Sequence, residues 1–228
     1  MRVFITGIGS GIGEALAKEY LKRGDEVYAL GRYKPKTLEN EDNLYFRRLD
    51  LFAHEKIEKE LLELLPECID IAILNAGMLG DIKDMSETSL YELKTVMDLN
   101  VWSNKVILDF FKNINIKQVV AISSGAAVNG SRGWSGYSIS KAALNMLIKL
   151  YAREMSNTHL SALAPGLVAT PMLGHILENI DEEKYPSVKR LKESPKLSPE
   201  ESAKMLIETF VKLLKYESGE FHDVRRMD

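Results

Sequence analysis

The segment Val3-Phe4-Ile5-Thr6-Gly7-Ile8-Gly9-Ser10-Gly11-Ile12-Gly13-Glu14-Ala15-Leu16 carries the strongest fold signal in the chain. Val3–Thr6 reads as a buried strand. Gly11–Lys22 reads as a helix, because Ile12, Leu16 and Tyr20 recur one turn apart and Gly24 stops the pattern. Between them lies a TGxxxGxG turn. Glycines there permit a tight reversal and let the backbone approach an anion closely. The helix that follows aims its free N–H groups and positive end at the same place. Strand, glycine turn and helix in this order predict a pyrophosphate site built from Thr6, Gly7, Gly9, Ser10, Gly11, Ile12 and Gly13. A Walker loop is excluded, since no Lys-Ser/Thr follows the last glycine. The GxGxxG spacing is excluded as well, since Ile12 stands where its third glycine would be.

Working outward, short apolar runs alternate with amphipathic stretches. Strands are expected at Glu26–Leu30, Leu44–Leu49, Ile69–Leu74, Gln118–Ser123, His159–Ala164 and Gly219–Val224. Helices are expected at Ala53–Leu65, Ser86–Asn113, Gly136–Ser156 and from Ser198-Pro199-Glu200 to Tyr216. Ser86, with Ser89 or Glu87 nearby, is a candidate cap for the second of these; spacing does not decide which. The alternation predicts βαβ units and an α/β, doubly wound parallel sheet, one domain over residues 1–228. Such sheets bind ligands at the carboxyl ends of their strands. Asp181–Pro199 is charged, holds three of the seven prolines, and reads as a mobile flap or loop.

Composition narrows the function. The 228 residues are 45% hydrophobic and 28% charged, ordinary for a globular chain. Thirty basic against 33 acidic residues give a net charge of −3, which argues against a nucleic-acid partner. Cys68 is alone, so no internal disulfide or Cys-rich zinc site is expected. The histidines at 54, 159, 175 and 222 show no ligand spacing, and no metal is expected. No apolar run approaches the ~18 residues of a membrane span. Val3–Ile5 is too short for a signal-peptide core, and a cytoplasmic setting is expected.

Two further signals bear on chemistry. Leu30-Gly31-Arg32-Tyr33-Lys34 ends the second strand with no carboxylate to grip ribose hydroxyls. Its cations, Arg32 foremost, favour a 2′-phosphate, hence NADP, with NAD as the alternative. Tyr137 and Lys141 are four residues apart on one helix face, where an ammonium is expected to lower the phenol's pKa. Tyr185 and Lys189 repeat the spacing, but Met172 stands thirteen residues before Tyr185, where Ser124 stands before Tyr137. The second pair therefore reads as a decoy.

Together these features resemble the short-chain dehydrogenase/reductase family in its compact, single-domain branch, over almost the whole chain. The resemblance implies a Rossmann fold and an NADP(H)-dependent oxidoreductase acting on a small carbonyl or alcohol. It assigns catalytic roles to Asn100, Ser124, Tyr137 and Lys141. In that scheme Ser124 and Tyr137 bind the carbonyl, Lys141 holds the tyrosine's charge and the cofactor ribose, and Asn100 orders a water that refills Lys141. Cofactor roles fall to Asp50 and Leu51 beside the adenine, to Asn75-Ala76-Gly77, and to Pro165, Gly166, Val168 and Thr170 beside the nicotinamide. Leu74 replaces a usual Asn, and Ser10 stands where many NADP-using members carry Lys or Arg. No glycine-rich tail follows Gly219, which puts the common tetramer in question; a homodimer through Ser86–Asn113 and Gly136–Ser156 is the default.

Residues 172–197 lie where the family's substrate flap lies. Met78, Leu79, Ala126, Ala127, Asn129, Trp134, Met172, Leu173, Ile176 and Leu177 are the pocket candidates, with His175 a lesser one. A non-catalytic NAD(P)-sensing protein on the same fold is the alternative reading. Retention of both Tyr137 and Lys141 weighs against it.

Overall fold

The computed structural model describes residues 1–227. Its strands are β1 (Arg2–Thr6), β2 (Glu26–Gly31), β3 (Leu44–Arg48), β4 (Cys68–Leu74), β5 (Asn115–Ile122), β6 (His159–Ala164) and β7 (Phe221–Asp223). They form one parallel sheet in the order β3-β2-β1-β4-β5-β6-β7. The chain winds outward from β1 in one direction and from β4 in the other. The switch point between them opens a crevice at the carboxyl ends of the strands.

Both faces of the sheet are apolar because both are covered. Along β1, Phe4 points into one core and Val3 and Ile5 into the other. The first core is closed by α2 (His54–Leu64), α4 (Ser103–Phe111) and α6 (Ser135–Glu154), through Ile57, Leu61, Phe111, Leu144 and Ile148. The second is closed by α1 (Gly11–Lys22) and α9 (Pro199–Leu213), through Leu16, Tyr20, Leu206 and Phe210. Ser198 caps α9 with Pro199 in its first turn, and α9 stops at Leu213, short of the expected Tyr216.

Two expectations need correction. Ser86–Asn113 is not one helix. Met85–Glu87 is a tight turn, and α3 (Leu90–Met97) begins after Ser89. The Ser89 hydroxyl accepts the Glu92 N–H, while the Glu92 carboxylate accepts the Ser89 N–H. That reciprocal spacing singles out Ser89 over Ser86. A widened π-helical turn at Asp98–Trp102 then separates α3 from α4.

Nor is Asp181–Pro199 a plain loop. It contains α8 (Pro186–Glu193), which follows α7 (Pro171–Asn179). Tyr185, Val188 and Leu191 share one face at helical spacing, and they join Leu79, Ile82, Leu173 and Ile176 in a third apolar cluster off the sheet. The charges that suggested a loop lie on the other side. A short helix, α5 (Ala126–Asn129), follows β5, and Cys68 is exposed at the start of β4. Among the described residues no helix is long and apolar enough to cross a membrane, and no three His, Cys, Asp or Glu side chains gather in a metal-sized group.

Candidate active site

The turn after β1 is locked to the loop after β4. Thr6 is fully buried, and its hydroxyl accepts the N–H groups of Asn75 and Ala76, both at 3.0 Å. In return the Asn75 side-chain amide donates to the carbonyls of Thr6 (3.1 Å) and Gly7 (3.0 Å). Gly7 sits at φ +75°, and a Cβ on it would fall 2.9 Å from the Ala76 Cα. At Gly13 a Cβ would lie 2.2 Å from the Gly7 carbonyl oxygen and 2.4 Å from the Asn75 amide nitrogen. Thr6 and Gly13 therefore hold the turn together from behind and do not line the cleft. Gly7, Gly9, Ser10, Gly11 and Ile12 do line it.

Ser10 precedes α1 in an extended conformation, and its side chain makes no capping bond. The first-turn N–H groups thus have no side-chain acceptor, at the positive end of the helix, where an anion is favoured. Arg32 lines the same end, exposed, its guanidinium 5.8 Å from the Tyr33 ring centroid. Lys34 does not share that place; its ammonium donates to the Glu39 carbonyl at 3.2 Å. Asp50 and Leu51 form the facing wall, with an Asp50 carboxylate oxygen accepting the Phe52 N–H at 3.1 Å. The open helix end, the Arg32 guanidinium and the glycine wall line one cleft of about 520 Å³, with the donors and positive charge that a phosphorylated nucleotide needs.

The cleft continues past Asn75, Ala76 and Gly77 to Ser124, Tyr137 and Lys141. Tyr137 and Lys141 lie one turn apart on α6, and Ser124 follows β5. The Ser124 hydroxyl accepts the Ala126 N–H at 3.1 Å and faces the Tyr137 phenol. Lys141 is 4% exposed, and its ammonium donates to the Ile122 carbonyl at 2.7 Å. Its Nζ is 5.7 Å from the Tyr137 ring centroid.

The expected acidification of Tyr137 is not what this arrangement produces. Burial pushes the phenol above its ordinary range, and only the Ser124 contact pulls it back. Burial also draws Lys141 down to about 8. The reason is common to both: each group gives up water on burial.

Asn100 is wholly buried and does not reach the cleft. Its amide donates to the Met78 carbonyl and the Ser140 hydroxyl, both at 2.9 Å, and its oxygen accepts the Met78 N–H at 2.8 Å. It ties the loop after β4 to the residue preceding Lys141. Pro165, Gly166, Val168 and Thr170 line the cleft from the loop after β6. Thr170 caps α7, accepting the Leu173 N–H at 3.3 Å.

Of the pocket candidates, Leu79, Trp134, Met172, Leu173 and Ile176 line the cleft. Met78, Ala126, Ala127, Asn129 and Leu177 do not. His175 is exposed and turned to Asn179. The sequence reading missed Tyr33, Phe52, Leu99, Leu167 and Leu191, which also line it. Position just after a strand end could have flagged Tyr33, Phe52 and Leu167, and Leu191 continues the Tyr185/Val188 stripe.

Comparison with known proteins identifies the family and the fold. A family model described as short chain dehydrogenase matches residues 1–181. A benzil reductase ((S)-benzoin forming) of Bacillus subtilis is 30% identical over 97% of each chain. An NADP-dependent 3-hydroxy acid dehydrogenase of Shigella flexneri is 27% identical over 88% of this chain and 85% of its own. The crystal structure of a short chain dehydrogenase/reductase from Saccharomyces cerevisiae superposes with a TM-score of 0.85 at 23% identity, covering 98% of this chain and 95% of that one. The glycine turn, sheet order and cleft thus sit in a chain whose first four-fifths match one family model, and the protein belongs to the short chain dehydrogenase family and is an oxidoreductase.

Proposed function

We propose that the chain passes hydride between NADP(H) and the carbonyl or alcohol carbon of a small substrate, using Tyr137 as general acid and base. One observation carries this reading: a single cleft holds the open end of α1 with Arg32 at one end and Ser124, Tyr137 and Lys141 at the other. When bound, the nicotinamide supplies or takes the hydride. In the reducing direction Tyr137 hands its proton to the substrate oxygen, and the Ser124 hydroxyl donates a second hydrogen bond there. Both stabilise negative charge where it develops. Loss of the proton leaves a phenolate, and Lys141 is the cation that meets it. Asn100 acts through Met78 and Ser140, as a positioning residue for α6.

Arg32 supports NADP over NAD, since no carboxylate ends β2, and a relative of this chain is named as NADP-dependent. Asp50, Leu51, Asn75–Gly77, Pro165, Gly166, Val168 and Thr170 would line the bound cofactor. The α7–α8 segment, within the flap expected at 172–197, would cover the substrate end. Pairing of two chains through α3, α4 and α6 belongs to the same proposal. Tyr91, Trp102, Ile139, Met146 and Leu150 are exposed there, and sedimentation equilibrium would test it.

The decisive test is Tyr137→Phe. General acid–base help is worth about 10²–10⁴ in rate, so turnover of NADPH against carbonyls should fall by at least a hundredfold, to about 1% or less. NADPH should still bind. Retention of more than a few per cent of activity refutes the role given to Tyr137. Tight NADPH binding without turnover by the unaltered protein, on any carbonyl tried, would leave the sensing alternative.

A further inference from the structure

The carbonyl end of the cleft is walled by Leu79, Trp134, Leu167, Met172, Leu173 and Ile176. Two cations line the cleft as a whole. Arg32 lies at the far end, and Lys141 is spent on the Ile122 carbonyl. A substrate carboxylate placed beyond Tyr137 would be desolvated with no counter-charge, which is costly. An apolar group meets the opposite situation, with aliphatic walls and one indole.

That indole is held by contacts from outside its own helix. Trp134 lies one turn before Tyr137, with ring centroids 6.1 Å apart and planes tilted 55°. Its Nε1–H donates to the Ser187 hydroxyl on α8 at 2.8 Å. An indole N–H in an apolar cluster needs such an acceptor. Beside it, Gly133 adopts φ +89°, and a Cβ there would come within 2.6 Å of the Tyr185 ring. The bare glycine lets the ring of Tyr185, 4% exposed, pack against the turn that leads into Trp134. Arg132 and Lys184 flank the Tyr185 ring at 5.9 and 5.2 Å. Arg132 also grips Asp84 with two hydrogen bonds, at 2.7 and 2.6 Å. The indole is therefore fixed from α8 and not by its own helix.

We infer that Trp134 is the specificity-determining wall of the substrate pocket, that Ser187 is its positioning residue, and that the pair selects uncharged carbonyl compounds bearing a flat apolar group, aryl ketones and aryl diketones, over carboxylate-bearing ones. The inference rests on the hydride-transfer reading above and names the substrate class of that site.

The test uses the whole protein with NADPH and three carbonyls: benzil, butane-2,3-dione and acetoacetate. The kcat/KM ratio of benzil to butanedione is measured in the unaltered chain and in S187A, S187T and W134A. Each variant is compared with the parent on the same substrates, so intrinsic reactivity cancels. S187A removes one neutral hydrogen bond and should lower the ratio roughly three- to tenfold, through KM for benzil more than through kcat. S187T keeps the hydroxyl and should restore it. W134A should lower it by at least about tenfold. If W134A fails to fold, shown by its melting curve, S187A against S187T still reads the pair.

A ratio unmoved by S187A, or acetoacetate preferred over benzil, overturns this inference while leaving the reaction standing. Absence of turnover on all three carbonyls by the unaltered chain overturns the reaction itself, and the inference with it.

Discussion

Alanine in place of glycine ordinarily strengthens a helix, by up to about 1 kcal/mol. Two glycines in this chain should split on that rule. Gly13 lies in the first turn of α1, where a Cβ would meet the Gly7 carbonyl oxygen at 2.2 Å and the Asn75 amide at 2.4 Å. Neither neighbour can yield freely. The first is backbone at φ +75°, and the second is fixed by two hydrogen bonds to Thr6 and Gly7. Overpacking costs about 1–3 kcal/mol, and a displaced Asn75 forfeits about 1 kcal/mol per bond. After the helix gain is subtracted, Gly13→Ala should lose roughly 2–3 kcal/mol. For a chain of this length that is a fall in Tm of about 5–10 °C.

Gly174 lies within α7 with nothing within 4 Å of its Cβ position. Gly174→Ala should gain about 0.5–1 kcal/mol and raise Tm by about 1–4 °C. Thermal unfolding followed by circular dichroism, in one buffer, reads both. NADPH titration of Gly13→Ala should show weakened binding as well, since the turn must move. If Gly13→Ala melts at or above the parent, or Gly174→Ala melts as far below it, the locked-turn account is wrong.

The remaining predictions concern charge. Lys141 has a folded pKa near 8 against an ordinary 10.5. Across that window the unfolded chain binds more protons, so the parent should gain stability as pH rises through it, by about 3 kcal/mol at most. Lys141→Met should lack this rise, and the difference between the two urea-unfolding curves at each pH isolates it. Arg32→Ala should weaken NADPH binding by about tenfold, the low end of a charge-assisted hydrogen bond because the site is exposed. NADH binding should fall much less, and fluorescence titration with both cofactors checks the contrast. Equal losses for the two would mean that Arg32 does not read the 2′-phosphate.

Much of this was legible in the residues. The bounds of α1 and β6 follow directly from apolar spacing and from Gly24 and Pro165. The glycine turn was the expected phosphate site, and it shares one cleft with Ser124, Tyr137 and Lys141. What hid was whatever depends on burial by distant segments. α8 was masked by its prolines and charges, although Tyr185, Val188 and Leu191 carry a helical stripe. Lys34 stood as a second cation behind Arg32, but its ammonium turns to the Glu39 carbonyl. The pKa direction at Tyr137 was misread because spacing reports proximity to Lys141 and not the water lost by both.

The two ends of the cleft are joined through four consecutive residues at the switch point. Asn75 and Ala76 are clamped to Thr6 and Gly7, so the glycine turn cannot move without them. Gly77 has no side chain, and a Cβ there would stand 3.2 Å from the Asn100 amide oxygen and 3.5 Å from the Lys141 ammonium. Met78 is held by its own N–H and carbonyl to Asn100, which also grips Ser140 beside Lys141. The glycine turn and Lys141, the proposed phosphate cradle and catalytic lysine, are therefore placed by one short path of hydrogen bonds. Each bond is worth only about 1 kcal/mol, but all of them cross between elements far apart in sequence. Asn100 has no access to the cleft and both its amide hydrogens are committed. In the proposed reaction its part is to set the distance between two ends that have to serve one bound molecule.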